Sequence, residues 1–166
     1  MTATPMRQRG PLRRVRGAAA VVAAVLLLVL VRGALVQPLR VDGVSMEPGL
    51  HDGDVVLVWR RADVRHDTHR GDIVVFRDRD GTLSVKRVVA LPGDRVRVLD
   101  SVLEIDEQPV DEPYARRSTA TSFFGTAVVP ARSVFVLGDN RAQSSDSRVY
   151  GAVEDARVVG RVVLTW

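Results

Sequence analysis

Apolar residues fall into two regimes along the chain. From Gly17 to Val31 every residue after the glycine is Ala, Val or Leu, and Gly33 to Val36 prolongs the run past Arg32. Together they approach the roughly 20 residues that a helix needs to cross a bilayer, which predicts one N-terminal transmembrane helix. Beyond Pro38 the apolar residues come instead in short β-branched runs punctuated by turn residues, the pattern of an all-β domain with no convincing helix. Strands are predicted from Val55 to Trp59, Ile73 to Phe76, Leu83 to Ala90, Arg95 to Leu99, Val102 to Ile105, Ala127 to Val129, Ser133 to Leu137 and Arg157 to Leu164. Arg95 to Val98 alternates charged and apolar residues, as a half-exposed strand does. Gly-Asp pairs recur at Gly53, Gly71, Gly93 and Gly138, where glycine supplies positive φ and aspartate caps the neighbouring backbone. Residues Asp111 to Gly125, rich in Pro, Ser, Thr and Arg, read as a long surface loop. The expected organisation is a tail over residues 1–16, a membrane segment over 17–36 and a β-domain over 37–166.

Charge changes the reading of the first segment. The net charge is +4, but Arg7, Arg9, Arg13, Arg14 and Arg16 all precede the apolar run. Without them the remainder carries about −1, so no basic face for nucleic acid is implied. Arginines before the run and their scarcity just after it place the N-terminus in the cytoplasm and the β-domain outside. Arg32 sits near the far end, where its long side chain can snorkel to the headgroups. A removed secretory signal is the competing reading. Leu35, Val36, Gln37 and Pro38 offer no small-residue cleavage site, which favours a retained anchor. At 166 residues with 46% apolar composition the chain has room for one ordinary domain and this appendage. It has no cysteine, which removes disulfides, thiolate metal sites and thiol nucleophiles.

Candidate chemistry begins with a compositional oddity. Of 24 cationic side chains one is lysine, Lys86, and the rest are arginine. Guanidinium stays protonated, whereas a lysine amine buried among apolar neighbours can lose its proton and act as a base. Ser45 lies in VDGVSMEPGL, ahead of a Pro48-Gly49 turn, a setting that can present a hydroxyl beside free backbone N–H groups. The flanks are not those of a GxSxG nucleophile elbow. His66 and His69 in HDTH, His51, and Asp139 in GDN read as surface or turn residues rather than metal ligands or catalytic groups. No cofactor and no metal are called for.

An apolar N-terminal segment, SMEPGL at Ser45, RGDIVVF from Arg70 to Phe76, KRVVALPGD from Lys86 to Asp94 and GDNRAQSSDSR from Gly138 to Arg148 occur in that order. This series resembles the type I signal peptidases of bacteria, membrane-bound serine proteases that use a Ser/Lys dyad. The resemblance implies a mainly β fold, a compact domain of antiparallel sheets behind one transmembrane helix. It makes Ser45 the nucleophile and Lys86 the general base, with Ser144 hydrogen-bonding and orienting the lysine amine and the pair Asp146 and Arg148 bracing the site. The oxyanion falls to the Ser45 N–H with help from position 43. Many relatives carry a hydroxyl residue there and this chain has Gly43, so side-chain help is absent. Gly49 stands where family members usually have threonine. Val41, Leu50 and Val85 are the implied walls of shallow pockets for the small residues that end a signal peptide, and they serve equally as core. Implied partners are exported preproteins and the lipid bilayer. Two other readings remain: a specialised or accessory Ser/Lys processing peptidase of the same fold, and an inactive anchored β-domain that binds partners.

Overall fold

The computed structural model describes residues 21–22, 35–60, 68–116 and 123–165. Most of the expected membrane segment, part of the Asp111–Gly125 stretch, His66 and Trp166 therefore lie outside the described residues. Among those described, no helix is long and apolar enough to cross a membrane. The chain divides into two compact units, Met1–Leu35 and Val36–Trp166, and the second carries the fold described below.

Its strands are β1 (Val36–Arg40), β2 (Val55–Trp59), β3 (Ile73–Arg77), β4 (Leu83–Ala90), β5 (Arg95–Leu99), β6 (Val102–Ile105), β7 (Gln108–Pro109), β8 (Phe124–Val128), β9 (Ser133–Leu137), β10 (Val153–Glu154) and β11 (Val158–Thr165). They form a seven-stranded sheet in the order β1-β2-β11-β3-β4-β9-β10 and a four-stranded sheet in the order β7-β6-β5-β8. All these strand pairings are antiparallel. The fold is thus mainly β, as the sequence predicts.

Three Gly-Asp turns share one geometry. In each, the aspartate carboxylate accepts the N–H of the residue three before it: His51 to Asp54 at 2.8 Å, His69 to Asp72 at 2.8 Å and Leu91 to Asp94 at 2.7 Å. The aspartate N–H returns a bond to the same residue's carbonyl, and the glycine between has φ near +90°: 89°, 97° and 92°. Gly53, Gly71 and Gly93 thereby start β2, β3 and β5 in register. Gly138 does not belong to this group, for a reason given with the site.

Some boundaries differ from the expected ones. The strand anticipated at Ala127 to Val129 runs from Phe124 to Val128, because pairing with β5 overrides the low strand propensity of Gly125. The first strand begins at Val36, the last residue of the expected membrane segment. Where no helix was expected, short helical turns occur at Arg141–Gln143, Ser147–Tyr150 and Asp155–Arg157. The second is started by Asp146, whose carboxylate caps the Arg148 N–H at 3.3 Å.

The apolar faces gather into three clusters. Val74, Phe76, Val88, Val134, Val136 and Val153 pack within the large sheet. Val89, Val96, Val98, Leu103, Phe135 and Leu137 join it to the small sheet. Val41, Met46 and Leu50, from the loop between β1 and β2, pack with Val56, Val58 and Val75. That third cluster is the floor on which Ser45 rests.

Candidate active site

Ser45 sits on the loop between β1 and β2. The loop is tied down by Val41 N–H to the Asp54 carbonyl at 2.8 Å, Gly53 N–H to the Val41 carbonyl at 2.9 Å and Leu50 N–H to the Met46 carbonyl at 2.9 Å. Met46 and Leu50 are buried in the cluster beneath, while Ser45 remains half-exposed. Burial of its neighbours holds the serine; half-exposure leaves its hydroxyl reachable. The Glu47-Pro48 peptide is cis.

Lys86 lies in the middle of β4, directly opposite Val74 of β3, and residues opposite each other on neighbouring strands share a face. The residue is 6% exposed. The amine lies 2.9 Å from Ser45 Oγ and donates to the Val85 carbonyl at 3.0 Å. Burial holds its pKa below the ordinary lysine value, against the opposing pull of the Asp146 and Asp78 charges. Two residues 41 positions apart thus meet within hydrogen-bonding distance, one half-exposed and the other dry.

The segment after β9 locks this pair in place. Asn140 donates its N–H to the Ser45 carbonyl at 3.1 Å and its side-chain amide to the Val44 carbonyl at 3.2 Å. Gly138 is close-packed rather than left-handed: a Cβ there would sit 2.5 Å from the Ser45 carbonyl oxygen and closer still to Ser144. Asp139 is fully buried and takes a bidentate ion pair from Arg87, at 2.8 and 2.6 Å. Arg87 also donates to the Gly71 carbonyl at 2.7 Å and stacks over Tyr114, 4.1 Å from its ring centre. Arg141 makes a second bidentate pair with Glu112, at 2.7 and 2.6 Å. Arg116 N–H donates to the Asp139 carbonyl at 2.8 Å, so residues 112–116 close over the segment.

Each expected site residue can now be located. Asp146 and Arg148 form a bidentate pair at 2.8 Å on both arms, and Asp146 also accepts the Gly138 N–H at 3.1 Å. Ser144 is a correction. Its hydroxyl is buried beside Gly138 but bonds neither to Lys86 nor to any other group among the described residues. The Lys86 amine is directed instead at Ser45 Oγ and the Val85 carbonyl. The Gly43 N–H is taken by Asp52 Oδ1 at 2.8 Å. The Ser45 N–H donates to no group among the described residues. Val41 and Leu50 are buried with Met46 in the third cluster, and half-buried Val85 packs against it, so the three come together as core. A surface cleft of about 490 Å³, lined by Phe124, Val129, Phe135 and Ala152 among others, shares no residue with this site.

His51 and His69 are surface residues beside Asp54 and Asp72 respectively, and no cluster of three metal-ligating side chains occurs among the described residues. Asn140, Arg87, Glu112 and Asp52 are the residues that sequence reasoning did not single out. Asn140, Arg87 and Glu112 act through partners distant in the chain, 52 positions in the case of Arg87 and Asp139, while Asp52 holds Gly43 across the loop, 9 positions away. Only Arg87 and Asn140 had a signal, by lying inside the motifs around Lys86 and Gly138.

Known proteins extend the picture. Residues 14–166 match the family model described as signal peptidase, peptidase S26. The chain is 38% identical over 152 residues to a signal peptidase I of Bacillus licheniformis, covering 85% of this chain and 82% of that protein. Signal peptidase I T of Bacillus subtilis (strain 168) is also 38% identical over 152 residues, covering 85% and 79%. A crystal structure of a signal peptidase I from Enterococcus faecalis V583 superposes with a TM-score of 0.52 at 33% identity, over 58% of this chain and 97% of that one.

Proposed function

This chain belongs to the signal peptidase family, peptidase S26, and we propose that it removes N-terminal signal peptides from exported preproteins, with Ser45 as nucleophile and Lys86 as general base. The observation that carries the assignment is the 2.9 Å separation of Lys86 Nζ from Ser45 Oγ with the amine buried. When the amine is neutral, the same line serves proton transfer from the serine hydroxyl to nitrogen. The Ser45 oxygen then attacks the scissile carbonyl, whose oxygen is stabilised by the Ser45 N–H. Lys86 returns the proton to the departing amine as the C–N bond breaks, leaving an acyl-serine. Water replaces the departed amine, gives a proton to Lys86 and attacks the acyl carbon; as the ester C–O bond breaks, Lys86 returns the proton to Ser45 Oγ and the signal peptide leaves as its carboxylate. Asp146 and Arg148 stay outside this chemistry and hold the segment that Asn140 uses to grip the nucleophile loop.

The apolar run at 17–36 acts in this reading as a single-pass anchor, with the N-terminus cytoplasmic and the β-domain on the far side of the membrane. Tethering there raises the frequency of encounter with a translocated preprotein without demanding tight intrinsic binding. Val41, Leu50 and Val85 are proposed as the apolar floor against which the small residues before the cut are read.

The test compares Ser45→Ala and Lys86→Arg with the parent on a purified preprotein, reading products by mass spectrometry. Both variants are expected to lose cleavage by 10³-fold or more, on the order of the loss when a member of a nucleophile–base pair is removed. Lys86→Arg is the sharper probe because it keeps the charge and removes the basicity. Undiminished cleavage by either variant sinks the dyad.

A further inference from the structure

We propose that Asp52 is a positioning residue for this reaction: by holding the Gly43 N–H it sets the backbone that aims the Ser45 N–H at the developing oxyanion. The inference rests on the reading of Ser45 as nucleophile. Three hydrogen bonds zip the strand leading to Ser45 onto the turn at 51–54. Two are backbone to backbone, Val41 N–H to the Asp54 carbonyl and Gly53 N–H to the Val41 carbonyl, and no side-chain substitution removes them directly. The third, Gly43 N–H to Asp52 Oδ1 at 2.8 Å, belongs to a side chain and falls two residues before the nucleophile.

Gly43 has φ +91°, and nothing lies within 4 Å of where a Cβ would stand. Glycine is therefore required at this position by backbone conformation and not by lack of room. A glycine left to itself visits both signs of φ about equally, so something must select the left-handed one. The Asp52 carboxylate makes that selection, and in doing so commits the Gly43 N–H. Among the described residues the Ser45 N–H is left without a partner and is the donor that remains for an oxyanion. With neither a hydroxyl at position 43 nor its N–H to share the load, small errors in the direction of one N–H fall directly on the rate. Asp52 is itself exposed, so the bond contributes more to direction than to folding. The charges that bear on Lys86 are Asp146 and Asp78, so loss of Asp52 leaves the base as it is.

The experiment uses the full chain in detergent micelles and a fluorogenic peptide with alanine at the first and third positions before the cut. Asp52→Ala is expected to lower kcat by about 10- to 100-fold, the scale of a misplaced reacting geometry, with KM and the pH midpoint of activity unchanged. Asp52→Asn keeps an oxygen in place and is expected to recover most of the lost rate. Gly43→Ala, strained at this φ, is expected to be non-additive with Asp52→Ala, because both disturb one hydrogen bond. A parental kcat in Asp52→Ala, equal damage from Asn and Ala, or strict additivity with Gly43→Ala each overturns the proposal. Ser45→Ala in the same assay separates the two ideas. Activity surviving there removes the nucleophile assignment itself, whereas its loss alongside an undisturbed Asp52→Ala removes the positioning role alone.

Discussion

Lys86 titrates under two opposing influences. Burial disfavours its protonated form, and the negative charges of Asp146 and Asp78 favour it, with burial the stronger. Because the neutral amine is the form that accepts the serine proton in the proposed mechanism, activity is expected to rise with pH through a midpoint below the ordinary lysine value. Asp78→Asn removes one charge that favours protonation while keeping the oxygen that accepts the Arg79 N–H at 2.7 Å. The midpoint is therefore expected to move to lower pH in a profile of kcat/KM against pH. A move to higher pH would contradict the electrostatic account. Gly138 poses a different residue-scale question, of space. Its added Cβ would collide with the Ser45 carbonyl oxygen, a backbone atom held by Asn140. Gly138→Ala is expected to lose about 1–3 kcal/mol, as overpacking does, and to lose activity with it. A thermal unfolding midpoint equal to the parent's, together with full activity, would show that the loop yields freely.

Among the elements, β4 carries the heaviest duties, because it bears Lys86, the proposed base, and, at the next position, Arg87, and neighbouring strand residues point to opposite faces. One face meets Ser45 and the other meets Asp139, so a single strand fixes both the amine and the segment that grips the nucleophile loop. Arg87→Met leaves the fully buried Asp139 carboxylate unpaired and is expected to cost about 3–5 kcal/mol in urea unfolding. The double replacement with Asp139→Leu is expected to recover part of that loss. This pairing was not legible in the sequence. Periodicity reports which face of a strand is buried but not which distant segment meets it, so Arg87, Glu112 and Asp52 gave no sign of their partners. By contrast β2, β4, β5, β6 and β9 were readable to the residue, since each is a β-branched run ended by a turn. β7 and β10 were not, being two residues long and formed only by pairing with β6 and β9. Ser45 and Lys86 were readable as candidates, one from its turn and motif and the other from being the chain's single lysine. Their meeting, and the failure of Ser144 to join it, depended on side-chain directions that no spacing encodes.

At the scale of the molecule, the unit that begins at Val36 contains both members of the proposed dyad, and Asp146 and Arg148 with them. A chain shortened to start at Val36, and so keeping β1 whole, is expected to fold and to cleave a soluble peptide at a rate near the parent's. Its rate on a preprotein embedded in vesicles is expected to fall, because the proposed anchor no longer concentrates enzyme and substrate. Loss of soluble peptide cleavage in a folded shortened chain would show that the first 35 residues contribute to the site itself. The grip of Asn140 on the Val44 and Ser45 carbonyls has a consequence in time. During synthesis the serine emerges early and the lysine next, but the clasp that steadies them arrives nearly a hundred residues after the serine. Asn140 can grip the loop of Ser45 only once nine of the eleven strands have been made.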